Sequence, residues 1–398
     1  MAEWSLFLAG IIFIIGFVGN LAFKRTRIPE ALFLILAGLL AGPALGIIDS
    51  ATSVAIMPVV ATLMIIVVML DNGLSFDLFK VVRALPATLR LSICIMLVTA
   101  GLIAAVLVLL GVPPVIGLLV GFILAGTTTD VVAGLTSKMP VPRDTKQFLV
   151  FESVINDVQI IPFFVLMGFM INSAVGFPWG MLLGIPVAIA IGTIIAIAWT
   201  FVLGRFIGKH PLNYAATIGI LLVVYSLVET LGGNAPLAAL SFSLVLGNAV
   251  RVFDKLKFKL DLRRKFTPAI IKDLKQIETD VSFFVRALFF FFLGAAFSFK
   301  SLDAGVAVAI TVVMAAILVS RFVLFRIAAL KAPHYGVHIG VLTWIMPRGY
   351  VAAVLAFSAA GAGAITPQLL DVMLLAIYLT TFVSMLYATY YGQRYGKA

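Results

Sequence analysis

Residues 151–163 read FESVINDVQIIPF, a short stretch that places two carboxylates inside an apolar run. Ser153 and Asp157 are four residues apart, so on a helix they share one face, and Glu152 and Asn156 form the stripe beside it. Oxygen atoms of this kind are the ligands that hard cations such as Na⁺ prefer. Because burial disfavours a bare negative charge, a carboxylate at Asp157 would hold either a proton or a cation. Competition of these two ions for one carboxylate is all that proton-coupled cation exchange requires.

The surroundings of this stretch have the composition of a membrane protein. Of the 398 residues, 63% are hydrophobic and 11% are charged, whereas a soluble domain is near half apolar and a quarter charged. Apolar runs of about 20 residues, the length that spans a bilayer, recur from end to end. The net charge of +11 falls mainly in short connections, so membrane topology explains it better than a nucleic-acid partner. We therefore predict an all-α integral membrane protein surrounded by lipid, and we predict neither an enzyme nor a bound cofactor.

The distribution of basic residues predicts the orientation of the chain. We count about thirteen apolar segments, and nearly every Lys and Arg outside them follows segment 1, 3, 5, 7, 9 or 11 or lies at the C-terminus. The opposite connections carry one, Lys300. The positive-inside rule then places the N-terminus outside and the C-terminus in the cytoplasm, in the cell membrane. The segments lie at 4–23, 28–48, 53–75, 87–111, 113–137, 148–172, 178–207, 213–231, 235–251, 280–299, 303–330, 335–361 and 367–391.

Charged residues remain inside the apolar segments. Each charge near the bilayer centre costs about 2.5–3.5 kcal/mol, so the full set would cost roughly 20 kcal/mol if unpaired. An ion or proton pathway with compensating pairs is the usual reason to carry such a cost. The alternative, buried ion pairs that only fix helix packing, stays open, above all for Arg286, whose side chain could reach cytoplasmic water. The charged residues are Asp71, Asp130, Glu152, Asp157, Arg286, Arg321 and Arg348.

Two segments carry polar interruptions that predict unwound helices. Segment 5 contains GFILAGTTTDVVAG with Asp130, and segment 12 contains TWIMPRGYVAA with Arg348. Because the two segments are seven apart, they run in opposite directions, which is typical of an inverted-repeat transporter whose halves are segments 1–6 and 8–13. Asp130 would offset the positive N-terminal end of a half-helix, and Arg348 the negative C-terminal end.

Five motifs carry a resemblance to a known family. They are RIPEALFLILAGLLAGP, LDNGLSFDL, TTTDVVAG, FESVIND and PRGYVAA, of which FESVIND is the most specific. With these motifs the chain resembles the monovalent cation/proton antiporters, on the sodium/proton exchanger (NhaP-like) branch. The resemblance implies a homodimer that works by alternating access. It also implies scaffold helices at 1–85 and 177–300, the latter including a linker helix, and ion-carrying core helices at 86–176 and 301–398.

The resemblance further implies roles for individual residues. Asp157 would bind the cation, with Ser153, the Thr129 backbone and Asp71 as further oxygen ligands and Asp130 acting nearby. Glu152 would pair with an arginine on the eleventh span, which Arg321 matches best. Asn156 stands where electrogenic relatives have a second aspartate, which implies electroneutral exchange of one H⁺ for one Na⁺ or Li⁺.

Two other functions stay open at this point. One is K⁺/H⁺ exchange, because the predicted ligands do not determine the size of the ion cavity. The other is an intramembrane aspartyl protease, in which Asp130 and Asp157 would share a proton. His334 and His338 are four residues apart but have no third ligand nearby, so we predict no metal site beyond the transported cation.

Overall fold

The regular structure of the described chain is helical throughout. A computed structural model describes residues 2–26, 30–137, 139–171, 179–204, 210, 212–255, 268–297, 303–331 and 338–395, and within these ranges it contains helices and no strands. The helices are α1 (Ala2–Thr26), α2 (Glu30–Leu39, continued by a π-helical turn over Leu40–Ala44), α3 (Ser50–Ser75), α4 (Leu78–Leu109), α5 (Pro114–Ala125), α6 (Thr129–Ser137), α7 (Arg143–Ile171), α8 (Trp179–Val202), α9 (Asn213–Thr230), α10 (Ala235–Gly247), α11 (Ala249–Lys255), α12 (Pro268–Ala295), α13 (Ala304–Lys331), α14 (Ile339–Trp344), α15 (Tyr350–Gly361) and α16 (Pro367–Tyr395).

The lengths and composition of these helices fit a multi-pass membrane protein. Within the described residues, nine helical spans are long and apolar enough to cross a bilayer, and three shorter apolar helices accompany them, at Glu30–Ala44, Ala235–Gly247 and Tyr350–Gly361. The predicted all-α membrane fold is therefore confirmed. The count of thirteen spans and the inverted repeat stay predictions.

The chain forms two compact units. The first comprises Met1–Ala61, Ala87–Ser173 and Arg286–Ala398, and the second comprises Thr62–Pro86 and Ala174–Val285. Most of the predicted site residues lie in the first unit, and Asp71 lies in the second. The predicted division into scaffold and ion-carrying core stays a prediction.

The second unit has its own buried polar contacts. The hydroxyl of Tyr214 on α9 donates to Glu278 Oε2 on α12 at 2.6 Å, and Glu278 is fully buried. The amide of Asn248 joins the end of α10 to the connection between α3 and α4, because its Nδ2 donates to Phe76 O at 2.8 Å and its Oδ1 accepts from Leu78 N at 3.2 Å. Such partners satisfy polar groups that apolar surroundings would otherwise leave unpaired.

In the first unit, both predicted interruptions break their helices. Segment 5 divides into α5 and α6 around residues 126–128, and segment 12 divides into α14 and α15 around residues 345–349. Gly126 ends α5 in an extended conformation with φ −85° and ψ 151°. Pro347 has no N–H to donate, so it cannot continue a helical hydrogen-bond ladder through the second break.

Hydroxyl groups of α16 satisfy the backbone groups that the second break releases. Met346 N donates to Ser384 Oγ at 3.0 Å, and Arg348 N donates to Thr380 Oγ1 at 3.1 Å. Thr381 Oγ1 in turn donates to Arg348 O at 3.2 Å. Unwound backbone at membrane depth is tolerated only where protein groups or water in a cavity supply its hydrogen bonds. These three hydroxyls supply them at the second break.

The two breaks touch each other. Thr128 N donates to Pro347 O at 3.0 Å, which joins the first break to the second. A Cβ added to Gly349 would lie 2.6 Å from Thr128 Cβ, so only glycine allows the two backbones to approach this closely. The four ends of the half-helices therefore meet in one place.

Candidate functional site

Asp157 lies where the two broken helices meet. Its side chain is buried, with 1% of its surface exposed. Thr129 Oγ1 donates to Asp157 Oδ2 at 2.7 Å, and the Tyr350 hydroxyl donates to the same oxygen at 2.8 Å. Thr129 is the first residue of α6 and Tyr350 is the first residue of α15. The N-terminal ends of both half-helices thus point their partial positive charge at one carboxylate.

The partners of Asp157 are all uncharged. Among the residues that the structure describes, no Lys, Arg or His forms an ion pair with it. Hydroxyl groups can turn either a hydrogen or a lone pair toward a neighbour, so Thr129 and Tyr350 can donate to a carboxylate or help to coordinate a cation beside it. A proton or a cation bound here would replace the missing counter-charge.

Asp130 occupies the first turn of α6, close to Asp157 but with different contacts. Thr128 Oγ1 donates to Asp130 Oδ1 at 2.9 Å. The Asp130 side chain is half-buried and lines a cavity of about 200 Å³, and its charge is close enough to act on Asp157. Asp157 on α7 is therefore a buried acid, and Asp130 at the N-terminal end of α6 is a partly accessible acid beside it.

Asn156 belongs to a neutral polar network beside the break. Its Oδ1 accepts from Ser92 Oγ and from Gln159 Nε2, both at 2.7 Å, and its Nδ2 donates to Thr127 Oγ1 at 3.0 Å. The network ties α7 to α4 and to the first break. The Ser153 hydroxyl donates to Val150 O at 2.9 Å, within its own helix.

Glu152 forms a closed ion pair. Arg321 NH1 donates to Glu152 Oε1 at 2.7 Å and Arg321 NH2 donates to Glu152 Oε2 at 3.2 Å, with both side chains fully buried. The guanidinium also donates to Leu342 O through Nε at 3.1 Å and NH2 at 2.8 Å, and lies 5.1 Å from the centre of the Phe325 ring. Bidentate geometry with further acceptors is the arrangement that compensates two buried charges.

Arg348 lies at the opposite ends of the half-helices. Its Nε donates to Leu124 O at 2.6 Å, in the last turn of α5, and its NH1 donates to Met346 O at 3.1 Å, just past the end of α14. C-terminal helix ends carry partial negative charge, so a buried arginine offsets both of them. The broken helices therefore place an acid at their two N-terminal ends and a base at their two C-terminal ends.

Comparisons with known proteins fit this arrangement. The family described as sodium/hydrogen exchanger, transmembrane, matches residues 9–389. The chain belongs to the sodium/hydrogen exchanger family. A structure of the sodium proton antiporter MjNhaP1 from Methanocaldococcus jannaschii at pH 8 superposes with a TM-score of 0.76 at 20% identity, covering 99% of this chain and 97% of that one.

A second solved structure gives the same result for the fold. An electron-microscopy map of MjNhaP1 from the same organism superposes with a TM-score of 0.79 at 19% identity, again covering 99% of this chain and 97% of that one. At this level of identity the likeness shows that the proteins share a fold. No curated protein sequence matches the chain.

In this exchanger the structure gathers some of the predicted site residues and separates others. Asp157 and Thr129 are in direct contact, through the threonine side chain. Asp130 is one residue further along α6. Asn156 and Ser153 flank Asp157 on α7 but hydrogen-bond to other partners, and Asp71 lies in the second unit.

Two residues of the exchanger site were missed by sequence reasoning. Tyr350 directly follows the PRG interruption, and a tyrosine there has an apolar ring with a hydroxyl tip that needs a buried partner, which was a usable signal. Gln159 lies three residues after Asn156 in the apolar run, so their shared helical face was a signal as well.

Proposed function

We propose that this exchanger moves one Na⁺ or Li⁺ against one H⁺ in each cycle, with the two ions competing for Asp157. The observation that carries the proposal is a contrast between two buried acids. Among the described residues, Asp157 accepts from two hydroxyls and has no basic partner, whereas Glu152 is paired with Arg321. A buried carboxylate without a basic partner is stable when it holds a proton or a cation. Binding of one ion then requires release of the other.

The one-to-one stoichiometry follows from the number of exchangeable charges. The neighbour of Asp157 on α7 is the amide of Asn156, which is not a titratable group and so takes up no proton during the cycle. Both oxygens of Glu152 are already paired with Arg321, so this acid is not offered to the transported ions. If Asp157 alone changes occupant, the loaded and protonated sites carry the same net charge, and transport is electroneutral.

We further propose the coordination of the cation. Asp157 and Thr129 would supply oxygen ligands directly, with Ser153 and Tyr350 turning hydroxyl lone pairs toward the ion. Asp130 would act through water, since it lines a cavity beside the site. Asp71 would be a further oxygen ligand. The family resemblance supports Ser153 and Asp71, and the hydrogen bonds of Asp157 support Thr129 and Tyr350.

The proposal also includes the setting in which the exchanger works. The site would open alternately to the two sides of the cell membrane, with the N-terminus outside and the C-terminus in the cytoplasm, in a homodimer surrounded by lipid. The asymmetric placement of Lys and Arg among the connections supports this orientation. Cross-linking in native membranes would test the dimer.

The central experiment uses purified protein in liposomes that contain a pH-sensitive dye. Na⁺ or Li⁺ added outside should enter in exchange for H⁺ and so raise the luminal pH, and Asp157→Asn should remove this response. Asp303→Asn is the matched control, because Asp303 is an exposed acid whose Oδ1 accepts from Val306 N at 2.7 Å, a bond that an amide oxygen can also accept. Full exchange by Asp157→Asn would refute the site. A response to K⁺ as large as that to Na⁺ would make the chain a K⁺/H⁺ exchanger instead.

The stoichiometry has its own test. With the membrane potential clamped at zero by an ionophore, and then at a large value of either sign, the rate of Na⁺-driven pH change should stay the same. A rate that follows the potential would show net charge movement in each cycle and would overturn the electroneutral mechanism.

A further inference from the structure

A cavity of about 200 Å³ lies beside Asp130 in the first unit, and it contains a charged pair with no assigned role. Its charged and polar lining comes from Asn20 on α1, Glu30 on α2, Asp130 on α6 and Arg286 on α12. The cavity is large enough for several water molecules, and its polar groups can hold them. Glu30 and Arg286 therefore face the same cavity as Asp130.

Glu30 is held firmly, whereas Arg286 is held loosely. Asn20 Nδ2 donates to Glu30 Oε2 at 2.6 Å, which fixes one oxygen of the carboxylate. Arg286 Nε lies 4.0 Å from the other oxygen, Oε1, and this buried nitrogen has no hydrogen-bond partner among the residues that the structure describes. An ion pair at this separation is electrostatic rather than hydrogen-bonded, so it restrains the guanidinium weakly.

Two buried arginines of the first unit show how a structural arginine is held. Arg321 forms a bidentate pair at 2.7 and 3.2 Å and donates to Leu342 O as well. Arg348 donates to two helix ends. Arg286 has neither arrangement, although it lies in a cavity that also exposes the carboxylate of Asp130. Its position fits control of charge in the cavity better than support of the fold.

We propose that Arg286 is a tethered positive charge that sets how readily a cation enters the site, and that Glu30 holds this charge away from Asp130. This inference rests on the proposed exchange of Na⁺ for H⁺ and deepens it. With both side chains present, the pair is neutral and Asp130 attracts the incoming cation. Without Glu30, the guanidinium is free to neutralise Asp130 and repels the cation. Without Arg286, two acids face the same small cavity and the cation binds more readily.

The test measures the apparent KM for Na⁺ and the maximal exchange rate in liposomes at one pH. Glu30→Gln should raise KM about tenfold, because the cavity loses a negative charge at short range. Arg286→Gln should lower KM about fivefold, because the cavity loses a positive charge. The double variant restores neutrality, so its KM should lie within about twofold of the parent value. Shifts of KM in the same direction for both single variants, or no shift in either, would overturn the proposal.

Charge-retaining variants separate this role from a structural one. Glu30→Asp and Arg286→Lys keep the charges and should keep the parent KM. Arg251→Gln is the matched control, because Arg251 pairs with Asp77 at 2.6 Å on an exposed surface of the second unit. A merely structural pair would instead lower the yield and thermal stability of each Gln variant, with KM unchanged in the protein that folds.

A charged reagent provides a second measurement that does not depend on removing either side chain. Gly134 lines the same cavity, and a Cβ there would meet only Phe23 Cζ, at an ordinary 3.6 Å. In a Cys94→Ser background, Gly134→Cys can be modified with a cationic or an anionic methanethiosulfonate. The cationic adduct should raise KM for Na⁺ and the anionic adduct should lower it. Equal inhibition by both would contradict control by charge.

Failure of the inference and failure of the proposed exchange give different results. If the parent protein exchanges Na⁺ for H⁺ and Asp157→Asn does not, the proposed function stands whatever the Glu30 and Arg286 variants do. If the parent shows no cation-dependent pH change while it is folded and correctly inserted, the proposed function fails, and the role of Arg286 fails with it.

Discussion

Glu152 and Asp157 are two buried acids five residues apart on α7, and their surroundings are opposite in kind. Glu152 shares both of its oxygens with Arg321, and the guanidinium is held further by Leu342 O. Asp157 receives hydrogen bonds from two hydroxyls and has no basic partner among the described residues. The first acid is compensated permanently by the fold, and the second depends on whatever ion occupies it. One helix thus carries both a structural carboxylate and an exchangeable one.

The largest expected effect comes from neutralising the exchangeable acid. In Asp157→Asn the amide oxygen still accepts from Thr129 and Tyr350, so the free energy of unfolding should change by less than about 1 kcal/mol. Exchange should fall to the rate of empty liposomes, because no carboxylate remains to alternate between ions. Denaturant titration and the liposome assay on the same preparation measure both quantities. A well-folded variant that still exchanges would remove Asp157 from the mechanism.

Neutralising the structural acid should mainly lower the stability of the protein. Glu152→Gln leaves the buried Arg321 without a counter-charge, which should lower the free energy of unfolding by about 3–5 kcal/mol. The double variant Glu152→Gln/Arg321→Gln should recover much of that loss, since it leaves no unpaired charge. Thermal denaturation in detergent compares the three proteins. If Glu152→Gln is as stable as Asp157→Asn, the two acids are not distinguished by their partners.

A smaller effect is expected from weakening the hydrogen bonds of Asp157. Tyr350→Phe removes one of two donors to the charged carboxylate, so the proton competes better and the apparent KM for Na⁺ near neutral pH should rise about tenfold. The difference should shrink at alkaline pH, where protons are scarce. Tyr378→Phe is the control, because that hydroxyl donates to Leu293 O at 2.6 Å, away from Asp157. Identical KM values for both variants at every pH would argue against a role for Tyr350.

The smallest effect concerns the geometry of the structural pair. Arg321→Lys keeps the positive charge but loses the bidentate contact and the bonds to Leu342 O, so stability should fall by about 1 kcal/mol. The apparent KM for Na⁺ should not change. Arg326→Lys, at an exposed position of the same helix, serves as the control. A change of KM in Arg321→Lys alone would show that the pair also influences ion binding.

Helical periodicity predicted only the part of this site that lies on α7. Residues on α7 share predictable faces, because side chains four apart on a helix point the same way, and this spacing was enough to single out Asp157. The partners of Asp157 come from other elements: Tyr350 is 193 residues away in the chain. A period of 3.6 residues says which face a side chain occupies, but it contains no information about which segment packs against that face.

The broken helices show the same division. Glycine, threonine and proline in otherwise apolar runs predicted both interruptions, since these residues weaken or end a helical ladder. The charges at the interruptions, Asp130 and Arg348, were predicted to offset opposite helix ends, and Arg348 Nε does donate to the last turn of α5. The tertiary structure alone shows that Thr128 N donates to Pro347 O. It also shows that this close approach requires glycine at position 349.

The sequence by itself determined that this chain is an all-helical membrane protein, that two of its helices are interrupted, and that α7 carries the acids on which ion exchange would depend. Composition and local spacing were sufficient, because the bilayer requires apolar helices and penalises every unpaired charge inside them. Only the tertiary structure decided which acid is neutralised by an arginine and which is left to an ion. Glu152 and Asp157 differ in what lies opposite them, and contacts between distant segments are set by packing rather than by local sequence.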